Sequence, residues 1–422
     1  MRRRRLRPLY TADESESGEG GRFPPEGEAA RVAVIGGAGH VGLPLGLALC
    51  HAGHDVTLVD TNQATLARIG EGHMPFCERG ADQLLPEMLQ SGRLHLRSDL
   101  AEVPAQDVVI VTIGTPVDEY LDPNVRAFDR VVDEVLDHME AGQLLIVRST
   151  VFPGVTERLG RNVLERQLDV DVAYCPERIA QGYALEELTK LPQLVAGCTE
   201  RATQRAAAFF ERFGARVIRL RPVEAELAKL FTNSYRYINF AISNQFYMLA
   251  ERYDADFQRV YDAMTHDYPR MKGFARSGFA GGPCLLKDTM QLGSFNHNLL
   301  TLGQHAMMVN EGLPSFVIEQ LKRTHPLREA TVGLLGMAFK GDCDDARSSL
   351  AYKLRKILLM ECRRVLCTDP YVQDPSLVPL DTVLAESDVL ILGACHQQYR
   401  NLTTDKPLVD VFGFLRQQGP RE

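Results

Sequence analysis

A cysteine set among glycines, with a lysine and an aspartate one turn further on, is the segment of this chain best equipped for covalent chemistry. It reads Phe279-Ala-Gly-Gly-Pro-Cys-Leu-Leu-Lys-Asp288. Gly282 suits a helix N-cap and Pro283 the first helical position, which predicts Cys284 in the first turn of a helix. There the helix dipole and the free amides favour the thiolate, the form that attacks carbon. Lys287 and Asp288 follow at i+3 and i+4, close to the same face, and Gly281 with its neighbours leaves room for a substrate. The alternative is that Cys284 is a small buried hydrophobe, as most of the other eight cysteines are expected to be.

A second constellation is Glu226-Leu-Ala-Lys-Leu-Phe-Thr-Asn233, where Lys229 and Asn233 share a helical face at i,i+4. An ammonium beside an amide can donate to an oxygen that acquires charge, but a solvated face with a chance pair has the same spacing. Three loops follow β-branched runs. Thr115-Pro116 ends Val108–Ile113, Ser149-Thr150 with Phe152-Pro-Gly154 follows Leu144–Val147, and Cys175-Pro-Glu177-Arg178 follows Val172–Tyr174. All three belong at carboxyl ends of parallel strands, where open α/β sheets bind ligands.

The cofactor signal is Gly37-Ala-Gly39-His-Val41-Gly42, placed between the strand-like Arg31–Ile35 and an apolar helix through Leu43–Leu49. Glycines permit the tight turn and close backbone approach, and the helix N-terminus offers amides to a pyrophosphate. The next strand ends in Asp60, 18 residues after Gly42, where a carboxylate can bond a ribose 2′-hydroxyl and would repel a 2′-phosphate. NAD is therefore expected over NADP.

The elements that must carry these groups alternate between strand and helix. Short runs at Val32–Ile35, Val56–Val59, Val108–Ile113, Leu144–Val147 and Val172–Tyr174 are separated by amphipathic stretches. A second series comprises Thr331–Leu335, Arg364–Cys367, Asp388–Leu392 and Leu408–Val411, and the text between, from Glu224 to Lys322, is mostly helical. The pattern predicts an α/β protein with two Rossmann-like, doubly wound parallel-sheet domains joined by a central helical segment. The expected parts are a disordered tail over residues 1–30 and folded parts over 31–222, 223–326 and 327–422. Val332-Gly-Leu-Leu-Gly-Met-Ala echoes Val34-Ile-Gly-Gly-Ala-Gly, which suggests related architecture.

Composition narrows the partners. With a net charge of −8 over 422 residues, nothing favours wrapping nucleic acid, and cations for a phosphorylated ligand must be concentrated locally. Nine scattered cysteines without a C-x-x-C point to a reducing cytoplasm, and no apolar run is long enough for a membrane helix. Met1–Arg7 is arginine-rich, but no apolar region of a signal peptide follows. The eleven histidines show no metal-ligand spacing, so no metal is expected, and His51 with His54 reads as loop surface.

Taken together, Gly37-x-Gly-x-x-Gly42, Thr115-Pro116, Ser149-Thr-Val-Phe-Pro-Gly154, Pro176-Glu177, Lys229-x-x-x-Asn233, Gly281-Gly-Pro-Cys-Leu-Leu-Lys-Asp288, Phe339-Lys340 and Asp345-Ala-Arg347 resemble the nucleotide-sugar 6-dehydrogenases, over about Val32 to Leu415. The family includes UDP-glucose, UDP-N-acetylhexosamine and GDP-mannose dehydrogenases. The resemblance implies a four-electron oxidation of the sugar C6 with two NAD⁺, through a thiohemiacetal and thioester on Cys284. It implies oxyanion stabilisation by Lys229 and Asn233, water positioned by Asp288 with Thr115, and help in thioester hydrolysis from Glu177. Thr115, Thr150, Lys287 and Arg347 would serve the NAD site, and Val41 lies in its glycine turn. Arg178, Gly281, Phe339, Lys340 and, from a partner subunit, Arg270 would serve the substrate.

By the same resemblance the first domain binds NAD, the central helices form the dimerisation and catalytic segment, and the last domain binds the nucleotide. A homodimer or larger homo-oligomer follows. The sequence departs from the family at Leu286, often proline, at Thr65, often basic, and at Gln181, usually glutamate in the UDP-glucose branch. The loop Pro176-Glu-Arg-Ile-Ala-Gln-Gly182 looks closer to the N-acetylhexosamine branch. Two other readings remain, a two-electron hydroxyacid-type dehydrogenase and a non-catalytic NAD-binding module.

Overall fold

The computed structural model describes residues 29–115, 125–212, 214–297 and 299–415. Residues 1–28 of the expected tail, and Pro116 of the Thr115-Pro116 pair, lie outside the described residues. Two compact units result, divided between Lys229 and Leu230.

In the first unit the strands are β1 (Arg31–Ile35), β2 (Asp55–Val59), β3 (Leu94–Arg97), β4 (Val108–Val111), β5 (Leu144–Val147), β6 (Asp171–Tyr174), β7 (Gln193–Gly197) and β8 (Val217–Arg219). Their order in the sheet is 3-2-1-4-5-6-7-8, with β1–β6 all parallel. Helices α1 (Gly42–His51), α2 (Gln63–Gly70), α3 (Ala81–Gln90), α4 (Val125–His138), α5 (Val155–Glu165), α6 (Ala184–Lys190) and α7 (Glu200–Glu211) provide the connections.

Side chains alternate across a strand, so both faces of this sheet carry core. Val32, Val34, Val108, Ile110, Leu144 and Ile146 pack on one face. Ala33, Ile35, Val109, Val111, Leu145 and Val147 pack on the other. Each fully buried valine, leucine or isoleucine contributes about 1.5–3 kcal/mol, which explains why continuous apolar runs mark these strands. The sheet departs from the expected all-parallel form at one edge, where β7 runs antiparallel to β6 and β8 parallels β7. Strands β3 and β8 have no counterpart in the sequence reading, because Leu94-His-Leu-Arg97 and Val217-Ile-Arg219 are short, mixed edge segments, and β7 has none either although all five of its residues are buried.

The long helix α8 (Pro222–Arg252) leads into the second unit, followed by α9 (Phe257–Thr265), α10 (Leu285–Phe295) and α11 (Thr301–Thr324). Strands β9 (Thr331–Leu335), β10 (Arg364–Thr368), β11 (Val389–Leu392) and β12 (Leu408–Val409) form a parallel sheet of order 10-9-11-12, with α12 (Leu350–Glu361) and α13 (Leu380–Glu386) in its crossovers. Tyr247, Phe257, Leu313 and Val317 of the central helices share one core with Val332 and Leu334 of β9. The helical segment is thus packed onto the second sheet.

Candidate active site

The glycine turn of the first unit is built by close approach. Gly36, at φ +80°, turns the chain directly after β1, and the amides of Gly36 and Gly37 donate to the Val59 carbonyl at 2.9 and 3.0 Å. A Cβ at Gly37 would lie 2.8 Å from the Leu58 Cβ, and one at Gly42 only 2.3 Å from the Gly36 oxygen. A Cβ at Gly39 would meet nothing nearer than that same oxygen at 3.4 Å, which leaves this glycine open to a pyrophosphate. Helix α1 starts at Gly42 and Val41 supplies no side-chain cap, so its N-terminal potential remains for an anion. Asp60 is half-buried and accepts from the Ala38 amide at 3.1 Å and the Asn62 amide at 2.9 Å. Turn, helix and acid suit a dinucleotide with a free ribose hydroxyl.

Beside this turn, two strand-end loops are tied together. The Thr115 hydroxyl donates to the Thr150 carbonyl at 2.8 Å, and Ser149 donates to the Ile113 carbonyl at 2.7 Å. At the end of β5, Arg148 is fully buried and gives both Nε and Nη2 to Glu177 Oε2. Glu177 Oε1 accepts from the Arg178 amide at 2.7 Å and the Ile179 amide at 3.0 Å, so four donors occupy the carboxylate. Burial alone would raise the Glu177 pKa, but the Arg148 charge and these bonds outweigh it and hold the group low. Arg178 donates to the Pro192 carbonyl, and Gln181 donates to Nδ1 of His40, in the glycine turn, at 2.9 Å.

Glu226 on α8 is also fully buried and caps α5, accepting from the Gly154 amide at 2.6 Å and from the Thr156 amide and hydroxyl at 2.8 and 2.6 Å. This seats the helix that carries Lys229 on the Ser149–Gly154 loop. Burial pushes the Glu226 carboxyl up.

The second unit holds the cysteine. Of the nine cysteines, Cys284 alone is exposed. It is the N-cap residue of α10, which begins at Leu285. The expected position inside the first turn is therefore corrected by one residue, because Gly282 takes a left-handed φ of +101° and Pro283 belongs to the turn before the helix. One turn on, Asp288 is buried, with Asn233 Nδ2 at 2.6 Å from Oδ2 and Lys287 Nζ at 2.6 Å from Oδ1. Lys229 lies one turn from Asn233 on α8, within the reach of i,i+4 neighbours.

The loop before Cys284 rests on the loop after β9. The Gly282 amide donates to the Ser348 carbonyl at 3.1 Å, and a Cβ on Gly281 would sit 2.7 Å from that oxygen. A Cβ on Gly282 would come within 2.6 Å of the Phe339 ring, so the expected nucleotide aromatic packs against the cysteine loop. Lys340 beside it is half-buried. Arg347 forks onto Asp345 at 2.6 and 3.0 Å, and its pKa is raised chiefly by that bond, with a further contribution from Cys284. Arg270 lies over the Tyr268 ring and donates to its hydroxyl at 2.7 Å.

Sequence reasoning passed over Arg148, Glu226, Asp369 and His396, all with buried side chains. Two of them left a signal: Arg148 as a lone arginine closing the apolar run Leu144–Val147, and Asp369 as an acid following β10 as Asp60 follows β2. His54 corrects the surface reading. It is buried, its Nδ1 accepts the Ala30 amide at 3.0 Å, and burial pushes its pKa down. Among the described residues no group of histidine, cysteine and carboxylate side chains could hold a metal ion, and no helix is long and apolar enough to cross a membrane.

The glycine turn, the helix start behind it and Asp60 give the first unit the frame of a dinucleotide-binding domain, the class to which NAD-dependent oxidoreductases belong. The NAD-binding, central and UDP-binding domains of the UDP-glucose/GDP-mannose dehydrogenase family match residues 30–213, 223–312 and 333–417. The chain belongs to that family, and it is an NAD-dependent nucleotide-sugar dehydrogenase. It is 30% identical to a UDP-N-acetyl-D-mannosamine dehydrogenase of Pyrococcus horikoshii over 385 residues, 88% of this chain and 91% of the relative. The structure of UDP-D-ManNAc dehydrogenase from that organism covers 93% of this chain and 97% of its own, with a TM-score of 0.84 at 28% identity. A UDP-glucose dehydrogenase structure from Pyrobaculum islandicum gives the same TM-score and identity, covering 93% of this chain and 96% of its own.

Proposed function

We propose that this enzyme oxidises the C6 hydroxymethyl of a UDP-linked N-acetylhexosamine to the carboxylate through a covalent intermediate on Cys284. The observation that carries the reading is the exposed Cys284 at the N-cap position of α10, one turn from an Asp288 held by Asn233 and Lys287. NAD, when bound, accepts a hydride from C6 in each of two oxidations. The first converts the alcohol to an aldehyde and releases a proton. The Cys284 sulfur then adds to the aldehyde carbon as a thiohemiacetal. Loss of the second hydride together with the hydroxyl proton leaves a thioester, and water cleaves it to the carboxylate, a proton and the free thiol.

Lys229 and Asn233 would donate to the C6 oxygen as it gains charge. Asn233 already donates to Asp288, so it also holds that carboxylate in place to orient water, with Thr115 as the second water-positioning group. Glu177 is engaged by four donors, and its assistance in hydrolysis requires one of them to let go. Phe339 and Lys340 would hold the nucleotide by an aromatic contact and a cation for phosphate, while Arg347 would reach the NAD. The Pro176-Glu-Arg178 loop and the mannosamine-type relatives support an N-acetylhexosamine over glucose.

The decisive experiment is a panel of nucleotide sugars with NADH counted per mole of sugar. The expected ratio is two. A ratio of one would replace this reading with a two-electron dehydrogenase, and NAD binding without any turnover would replace it with a sensing module. Cys284→Ser should stop acid formation while NAD affinity stays unchanged, and an undiminished yield of acid would reject the nucleophile.

The same reading includes a second copy of the chain. Helix α8 exposes Phe231, Tyr235, Ile242, Phe246 and Leu249. Their recurrence traces one stripe about 27 Å long, of the kind a partner helix covers. Arg270 is proposed to enter the partner's site. Light scattering should give twice the mass of one chain or a multiple of it, and a monomer would refute the assembly.

A further inference from the structure

Under the loop that carries Phe339 and Lys340 lies a fully enclosed pair, Asp369 and His396, with both side chains at 0% exposure. Asp369 Oδ2 accepts from the Met337 amide at 2.6 Å and the Ala338 amide at 3.0 Å, and it faces His396 Nε2 at 3.0 Å. Oδ1 accepts from the Tyr371 and Val372 amides at 2.8 and 2.9 Å. On the far side of the imidazole, the Asp342 amide donates to Nδ1 at 3.0 Å. A backbone N–H can only donate, so Nδ1 is the acceptor and the bonding network assigns the ring proton to Nε2, aimed at Asp369.

The loop is gripped at both ends by these two side chains. Asp369 takes Met337 and Ala338, and His396 takes Asp342. Around His396 the backbone presses on the same segment. A Cβ at Gly341 would lie 2.1 Å from the Cys395 oxygen, and the Gln397 amide donates to Asp342 Oδ1 at 2.8 Å. Between the two grips stand Phe339 and Lys340, both half-buried.

We propose that His396 and Asp369 are positioning residues for the nucleotide of the substrate, fixing the 337–342 backbone so that Phe339 and Lys340 meet a nucleoside diphosphate already arranged. This rests on the reading above that those two residues hold the nucleotide. The enclosed pair does not touch the ligand. It acts through the amides it binds, lowering the ordering cost that a loose loop would charge against affinity.

Two substitutions separate this role from plain core stability. His396→Asn keeps a short acceptor for the Asp342 amide and gives up the bond to Asp369. His396→Gln keeps a donor toward Asp369 and gives up the acceptor for Asp342. With UDP as the probe, calorimetry should show about a tenfold weaker Kd for the glutamine variant, the value of one lost buried hydrogen bond, and the nucleotide-sugar KM should rise by a similar factor. NAD affinity and kcat should stay within about twofold, and the asparagine variant should recover most of the UDP affinity.

Both folded variants binding UDP as tightly as wild type would overturn the proposal. If neither folds, the wild-type protein still decides: hydrogen exchange at the amides of residues 337–342 should be slow before UDP is added and change little afterwards. Large protection on UDP binding would show a loop ordered by its ligand and would sink the idea. Wild type failing to bind UDP at all, or binding it undiminished after Phe339→Ala, would instead defeat the nucleotide assignment itself.

Discussion

The two sheets share a device and use it for different ends. After β1, Gly36 turns left-handed and donates to the last carbonyl of β2, Val59; after β9, Gly336 at φ +94° donates to the last carbonyl of β10, Thr368, at 2.8 Å. The next residue along each neighbouring strand is an aspartate whose Oδ2 accepts from the turn: Asp60 from Ala38 at 3.1 Å, Asp369 from Ala338 at 3.0 Å. Each Oδ1 accepts an amide two residues on, from Asn62 and from Tyr371.

The divergence follows from what comes next in the chain. Residues 36–41 separate β1 from α1, which puts a helix N-terminus at the turn. Residues 336–349 separate β9 from α12, and that longer stretch carries Phe339, Lys340, Asp345 and Arg347 instead. The acid follows suit. Both aspartates are half-buried as whole residues, but the Asp369 side chain is fully covered and faces His396. The comparison teaches that the same strand-turn-acid frame can lead into a helix start or into a long loop, and that the chain following the turn sets which groups stand there.

The comparison can be tested at the buried carboxylate of each unit, and the largest effect is expected in the first. Arg148→Met leaves Glu177 as an uncompensated buried charge and should cost about 3–5 kcal/mol in denaturant unfolding. A loss below about 1 kcal/mol, the range of an exposed pair, would mean that water reaches the site.

Next comes the turn. Gly42→Ala drives a methyl against the Gly36 carbonyl, and an overpacking cost of up to about 3 kcal/mol corresponds to roughly 100-fold weaker NAD binding. UDP binding should be untouched, and a parallel loss of both ligands would count against separate sites for them.

Asp369 gives a smaller effect with a defined pH window. Burial alone would raise its pKa, but the bond from His396 and the Val372 and Tyr371 amides outweigh it and hold the carboxyl at about 2. A depressed acid stabilises the folded state above its unfolded value and loses that contribution as pH falls through the folded one. From roughly pH 4 down to 2, about 2 kcal/mol should be lost from wild type and much less from Asp369→Asn. Equal acid sensitivity of the two proteins would count against the pairing. The smallest change is Asp60→Asn, expected to raise the NAD KM about tenfold and to narrow the preference over NADP by relieving charge repulsion. An unchanged NAD/NADP ratio would remove Asp60 from cofactor selection.

Much of this frame was legible beforehand for a plain reason. Fully buried parallel strands must be continuously apolar, so β1, β5 and β9 appear in the text within a residue of their ends. Edge strands β3 and β8 are half-exposed and short, and they leave no such mark. The glycine turn and the cysteine motif were readable because only special backbone conformations and a helix start demand those residue types. The partners of Glu177, Asp288 and Asp369 were not. Each bond joins segments separated by 27 to 55 residues, and nothing in local spacing reports it.

By itself the amino-acid sequence determined the apolar periodicity, the glycines that only close backbone approach can explain, and the order of the chemical groups along the chain, since all of these are local consequences of sterics and hydrophobic burial. Tertiary structure alone decided which carboxylates are saturated by donors, that Cys284 stands exposed at the N-cap position while the other eight cysteines are at least partly covered, and that the second acid is closed off by His396. Those outcomes depend on desolvation and on donors brought in from distant segments, and such quantities exist only once the chain has folded.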